Sequence, residues 1–310
     1  MTSLPHNFSE NVADFWVQPS IKYADNPSEV EFLRDYVSTY SPVILKNTVT
    51  HWAALTKWSL EYLENTCTGS YSVNVTPDGR ADACKEVDAQ RCFVYPAEVE
   101  MTMSDFSEML RNKLPDDAVP YLSQQDDNLS KQFPELRADI DNGLPLANAA
   151  FGSNAPEATN LWIGDERSTS TLHKDYFENL YVVISGTKTF ILYPPTDVVY
   201  FSETTFPTKR YRIKEGYTAG RIMQSDLSAI DADCAFASLP WIDFDPDDPQ
   251  AEARSPASRL AHPIRCTVRA GEVLYIPAMW YHHVSQTETT ISVNFWYDQR
   301  FDFRFVSTSF

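Results

Sequence analysis

The run Leu180-Tyr181-Val182-Val183-Ile184-Ser185-Gly186-Thr187-Lys188-Thr189-Phe190-Ile191-Leu192-Tyr193, closed by Pro194-Pro195, decides the fold class. Two strand-length apolar stretches rich in β-branched and aromatic residues flank a glycine turn, which predicts a tight hairpin. The same arrangement follows at Cys266-Thr267-Val268-Arg269, Ala270-Gly271 and Glu272-Val273-Leu274-Tyr275-Ile276-Pro277, and Thr290-Ile291-Ser292-Val293-Asn294-Phe295-Trp296-Tyr297 adds a further strand. Short, near-continuous apolar strands with Gly turns and no helical period predict an antiparallel double sheet or barrel of the jelly-roll kind from about Tyr121 onward.

Working outward, the first third reads as mixed helix and strand. Asn26-Pro27 caps a stretch in which Val30, Leu33 and Val37 recur at helical spacing, and Pro42 stops it. Val43, Ile44 and Leu45 make a short buried strand. Tyr71, Val73 and Val75 alternate with polar residues and run into the turn Thr76-Pro77-Asp78-Gly79. A helix is predicted from Ser104 to Lys113, with Phe106, Met109 and Leu110 on one face. The predicted organisation is an N-terminal α/β extension at residues 1–118 packed on a mainly β core at 119–310, with residues 196–263 inserted. Within that insertion Trp241-Ile242-Asp243-Phe244-Asp245-Pro246-Asp247-Asp248-Pro249 is acidic and proline-rich, as a surface loop would be. It either covers the barrel mouth or is a passive insertion.

The 310 residues are 43% hydrophobic, enough to fill a sizeable core, and carry a formal net charge of −18. That charge repels phosphate backbones, which excludes a direct nucleic-acid partner, and it would attract a basic protein or peptide or simply maintain solubility. No cationic stretch precedes an apolar run at the N-terminus, and the apolar segments are strand-length, so neither a signal peptide nor a membrane span is expected. Cys67, Cys84, Cys92, Cys234 and Cys266 share no Cys-x-x-Cys spacing, so a reducing compartment is the default. Apolar residues in Phe301-Asp302-Phe303-Arg304-Phe305 pack either internally or in a homodimer.

Chemistry concentrates at His173-Lys174-Asp175 and at His282 in Trp280-Tyr281-His282-His283. Residues two apart leave a strand by one face, so His173 and Asp175 form a chelate while Lys174 points away. A third ligand, His282, is expected from the opposite sheet, with His283 outward. Two histidines and one carboxylate leave positions open for a co-substrate and dioxygen on Fe(II). Lys188, in an otherwise apolar strand, is the candidate anchor for the far end of a keto-diacid, with Tyr121 and Ser170 as hydroxyl donors, or else it reaches solvent. Asn179 and Asn294 either orient the co-substrate or satisfy backbone groups.

These residues resemble a family. Asn160-Leu161-Trp162-Ile163-Gly164, Leu172 to Tyr181, Gly186-Thr187-Lys188, Leu274-Tyr275-Ile276-Pro277, Trp280-Tyr281-His282-His283 and Asn294-Phe295-Trp296-Tyr297 resemble the jumonji-C (cupin-like) 2-oxoglutarate oxygenases. The N-terminal third fits through Pro42-Val43-Ile44-Leu45, Lys57-Trp58-Ser59-Leu60 and Thr76-Pro77-Asp78-Gly79-Arg80-Ala81-Asp82. The branch most resembled hydroxylates lysine in developmentally regulated GTP-binding proteins. The resemblance implies a double-stranded β-helix core, Fe(II) held by His173, Asp175 and His282, 2-oxoglutarate and dioxygen as co-substrates, and a 2-oxoglutarate carboxylate site at Lys188, Tyr121 and Ser170. It implies Trp296 as a wall near the metal, a protein substrate, and a cytoplasmic or nuclear location. Asp165 and Glu166 are the candidate carboxylates for a lysine substrate. A lysine or arginine demethylase is the rival within this chemistry, and an inactive jumonji-fold binding module or a zinc-holding cupin the rival outside it.

Overall fold

The computed structural model describes residues 4–201, 203–218, 220–232 and 237–302. Eight strands form the core: β1 (Ala158–Gly164), β2 (Thr169–Lys174), β3 (Phe177–Ser185), β4 (Thr187–Tyr193), β5 (Ile264–Arg269), β6 (Val273–Ile276), β7 (Tyr281–Gln286) and β8 (Thr290–Asp298). One sheet runs in the order β6-β3-β8-β1 and the other β5-β4-β7-β2, and every core pairing is antiparallel. Apart from the long passage between β4 and β5, the chain changes sheet at each turn. This winding is a double-stranded β-helix, the jelly-roll that the apolar strands predict.

Neither predicted hairpin exists as such. β3 pairs with β6 and β8, whereas β4 pairs with β5 and β7, so Gly186 carries the chain from one sheet to the other. Gly271 does the same between β5 and β6. The turn chemistry is right at both places, with φ of 81° and 83°, but a glycine turn does not specify which strands pair. What separates the cases is burial: the middle of β3 is buried at every residue, on both faces, as a strand sandwiched inside a double sheet must be.

The N-terminal segment widens the first sheet. Val43–Lys46 pairs with β6, and Lys22–Asp25 lies parallel to it at the edge. Ser70–Thr76 joins Ala97–Thr102 and Val119–Tyr121 in a separate three-stranded sheet, and Arg80–Ala81 extends the second core sheet beyond β2. Helix Met103–Arg111 starts where the Thr102 hydroxyl accepts the Asp105 N–H at 3.1 Å, and it buries Phe106, Met109 and Leu110 as predicted.

The first predicted helix differs in cap and face. Ser28, not Asn26-Pro27, closes it through a reciprocal bond pair with Glu31. After Phe32 the backbone widens into a π turn over Leu33–Val37. That turn rotates the apolar face: Phe32 is fully buried, while Val30 and Leu33 are exposed.

Between β4 and β5 the chain builds its own sheet. Glu203–Ile213 pairs with Ser238–Ile242 and Leu227–Asp231, and runs parallel to Gln90–Tyr95. Trp241 and Ile242 therefore end a strand instead of starting a surface loop, and Ile242 packs against Leu172, Ile191 and Tyr281 on the outside of the second core sheet. Cys67, Cys84, Cys92 and Cys266 are free thiols, and Cys234 lies outside the described residues. Residues 303–305 of the predicted apolar C-terminal segment also lie outside them. Among the described residues no helix is long and apolar enough to cross a membrane.

Candidate metal centre and active site

β2 and β7 are neighbours in one sheet, and their register sets His173 directly opposite His282. The two imidazoles thus come from adjacent strands, not from opposite sheets as the strand order predicts, and their ring centroids are 4.2 Å apart. Asp175 stands one residue past the end of β2, with its carbonyl accepting the Met279 N–H at 2.8 Å. Its Oδ2 is 3.5 Å from His282 Nε2, and one donor atom from each of His173, Asp175 and His282 falls within 4.8 Å of the others. Lys174 points away, with its ammonium 3.9 Å from Glu203 and 5.2 Å from the centroid of Tyr281.

Backbone carbonyls orient both imidazoles. His173 Nδ1 lies 2.6 Å from the Thr171 oxygen, and His282 Nδ1 lies 3.1 Å from the Trp280 oxygen. A carbonyl can only accept, so each Nδ1 carries the proton and each Nε2 keeps its lone pair for a metal. Burial, reinforced by the neighbouring His282, pushes His173 down to about 4, which keeps it in the neutral form a ligand needs. Burial works to raise Asp175, but the contact with His282 and the closeness of both imidazoles hold it below the usual carboxylate range. Two neutral imidazoles and one carboxylate on one side are the donor set of a non-haem Fe(II) centre.

Lys188 supplies the second test of fit. It is 1% exposed, and its Nζ donates to the Tyr121 hydroxyl at 3.1 Å, with Ser170 Oγ 3.5 Å beyond. The rings of Tyr121 and Tyr181 flank it at 5.2 and 5.7 Å. Among the described residues no carboxylate pairs with this ammonium. A buried cation without an anion is costly by several kcal/mol, and the distal carboxylate of a keto-diacid bound beside His173 and His282 would neutralise it. The structure brings Lys188, Tyr121 and Ser170 together.

Asn179 and Asn294 bond each other at 3.2 Å, and Asn294 Oδ1 also accepts from Asn160 at 3.1 Å and Trp162 at 3.0 Å. This buried amide network lines the small inner cavity between the metal ligands and Tyr121. Glu178 accepts from the Tyr275 hydroxyl at 2.8 Å and the Ala278 N–H at 3.2 Å, which pins the turn leading into His282. Trp296 stacks on Phe177 at 5.0 Å, and the indoles that wall the cavities are Trp162 and Trp241 instead. Asp165 and Glu166 are absent from the site. Asp165 is fully buried against Arg167, and Glu166 is held by Lys113 at 2.6 Å.

Outside the ligands, a cavity of about 280 Å³ opens between β2 and the neighbouring sheets. Asp82 and Asp175 are the carboxylates among its lining residues. Asp82 has a left-handed backbone, φ 53°, and burial raises its carboxyl to about 6 despite the opposing pull of Arg210. Trp241 closes the other side, its ring parallel to His173 at 6.4 Å. Sequence patterns did not point to either residue. The non-glycine turn after Arg80-Ala81 and an indole beginning an acidic run were the available signals.

The cupin-like domain family matches residues 28–303. The chain belongs to this cupin-like, jumonji-C oxygenase family. It is 37% identical to the human bifunctional peptidase and (3S)-lysyl hydroxylase JMJD7, over 96% of this chain and 90% of that protein. The Arabidopsis thaliana lysine-specific demethylase JMJ32 is 36% identical over 93% of this chain and 84% of its own length. The chicken tRNA wybutosine-synthesizing protein 5 is 26% identical over 90% and 78%. One jumonji-C scaffold therefore carries names for several reactions, and discrimination among them rests on the cavity outside the ligands.

Proposed function

We propose that this jumonji-C enzyme is an Fe(II)- and 2-oxoglutarate-dependent hydroxylase of a lysine side chain in a basic protein, with a GTP-binding protein as the partner class. The observation that carries it is the pairing of the His173, Asp175 and His282 cluster with a buried Lys188 that no carboxylate pairs among the described residues. Bound Fe(II) and 2-oxoglutarate supply the oxidising power to place a dioxygen-derived oxygen atom on an unactivated C–H bond. The chain's own groups do the rest. Thr171 and Trp280 carbonyls hold the imidazoles, Lys188 and Tyr121 orient the co-substrate, and Trp162 and Trp241 exclude water. Asp82 meets a substrate ammonium in the 280 Å³ cavity, and the net charge of −18 draws in a basic partner. The name of the human relative supports lysine hydroxylation, and that of the Arabidopsis relative supports the demethylase reading.

Incubation with Fe(II), 2-oxoglutarate and a basic peptide library separates them. Retained oxygen on lysine, with succinate formed and turnover lost in Asp175→Ala, is expected. Loss of a methyl group with formaldehyde would assign a demethylase instead, and no turnover with any peptide would favour a binding module.

A further inference from the structure

His283 follows His282 on β7, so its ring leaves by the opposite, outer face of the strand. It is 1% exposed, yet among the described residues neither ring nitrogen has a hydrogen-bond partner. An imidazole buried in that condition is destabilising, because its nitrogens have lost water without gaining a partner. The acidic stretch between β4 and β5 closes directly over it. Asp245 Oδ1 is 3.7 Å from Nε2 and Asp247 Oδ2 is 3.7 Å from Nδ1, both too long for hydrogen bonds. One donor atom from each of these three residues falls within 4.8 Å of the others.

Neighbouring ligands around a tetrahedral ion with bonds of about 2.0 Å stand roughly 3.3 Å apart, and because Asp245 and Asp247 face different ring nitrogens, an ion on one nitrogen requires the carboxylate beside the other to move inward. The loop is already held near that position. Arg80 grips Asp245 Oδ2 at 2.6 Å, Arg265 lies 3.5 Å from Asp247 Oδ1, and Asp245 Oδ1 accepts the Asp247 N–H at 3.0 Å. A cavity of about 430 Å³ opens beside His283, with room for water ligands and a route for the ion.

We propose that Asp245, Asp247 and His283 form a second divalent-metal site, of the imidazole and carboxylate chemistry that suits Zn²⁺ or Mn²⁺, which staples the acidic insertion to the outside of β7. The ion clamps the segment that follows Trp241, so it also steadies the indole stacked on His173. The site is distinct from the His173, Asp175 and His282 centre, and it stands whether or not the hydroxylase reading does.

The test is metal stoichiometry on the full chain, by equilibrium dialysis against Co²⁺ or Zn²⁺ and by the visible Co²⁺ absorption. Wild type is expected to hold two equivalents. The His173→Ala/Asp175→Ala variant should keep one, and Asp245→Asn/Asp247→Asn should lose one with at least 100-fold weaker binding there. His283→Gln should match the double Asn variant, and circular dichroism checks that each folds. The half-buried Asp245 and exposed Asp247 provide the safer comparison if the buried histidine cannot be changed. One equivalent in wild type, or two equivalents in the double Asn variant, would overturn the proposal and leave His283 as an imidazolium between two carboxylates.

Discussion

Lys188 sets the energetic terms at the residue scale. Its ammonium is buried, donating to a phenol oxygen with two aromatic faces beside it, an arrangement that favours a bound anion over an empty site. Lys188→Met keeps the volume and removes the charge. We expect the apparent KM for 2-oxoglutarate to rise about 100-fold, the 2–5 kcal/mol typical of losing one partner of a buried charge pair. Chemical denaturation without co-substrate should show the Met variant as stable as wild type or more so, because an unpaired buried cation has been removed. Asp82 carries a second prediction. With its carboxyl near 6, it is neutral below that pH and anionic above it, so binding of a lysine ammonium strengthens as pH rises through about 6. KM for a lysine peptide measured from pH 5 to 8 should fall across that step, and Asp82→Asn should flatten the profile at the weaker, low-pH level.

At the scale of elements, the corners between the sheets matter more than the strands themselves. Gly186 has φ 81°, and a Cβ there would meet the Thr289 carbonyl at 2.7 Å and Thr290 Oγ1 at 2.7 Å. Gly186→Ala should therefore cost about 2–4 kcal/mol, through strain and collision together, seen as a lower denaturation midpoint. The strands on either side were legible from β-branched and aromatic runs, and so was the turn. Their partners were not, because alternation and turn chemistry are local while the choice of sheet depends on distant strands such as β6 and β8. The same limit applies at the site. His173, Asp175 and His282 could be found because their residue types and spacing suit a chelate, and Lys188 because it is a lone cation in an otherwise apolar strand. Asp82 and Trp241 reach the cavity from segments more than 60 residues away in sequence from His173, and no local pattern marks them. Trp296 was implied as a wall by the family resemblance, yet Phe177 covers its face.

Across the whole molecule, the N-terminal helix is tied to the insertion by one polar knot. Asp197 is fully buried and accepts from the His262 N–H at 2.5 Å and its ring at 2.8 Å, while the other ring nitrogen meets the Ser9 carbonyl at 2.9 Å. The hydrogen bond from Asp197 raises His262 above 6.5, and burial raises Asp197. His262 holds its proton more tightly in the folded protein than in the unfolded chain, so its contribution is fully present below 6.5 and is lost as pH rises through the elevated histidine value. Urea denaturation at pH 6 and pH 8.5 should show wild type exceeding His262→Gln by roughly 1 kcal/mol more at the lower pH, after allowance for partial solvent screening.

β7 presents His282 to the interior and His283 to the exterior, so consecutive residues address two opposite sides of one ribbon. Spacing along this stretch consequently tolerates no drift. Deleting or adding one residue between Ile276 and Tyr281 would exchange the roles of the two imidazoles at a stroke, turning the chelating ring toward the acidic insertion and its neighbour inward, even where the barrel itself survived. The connection through Pro277, Ala278 and Met279, gripped by Glu178 and Asp175, acts as the gauge that keeps count.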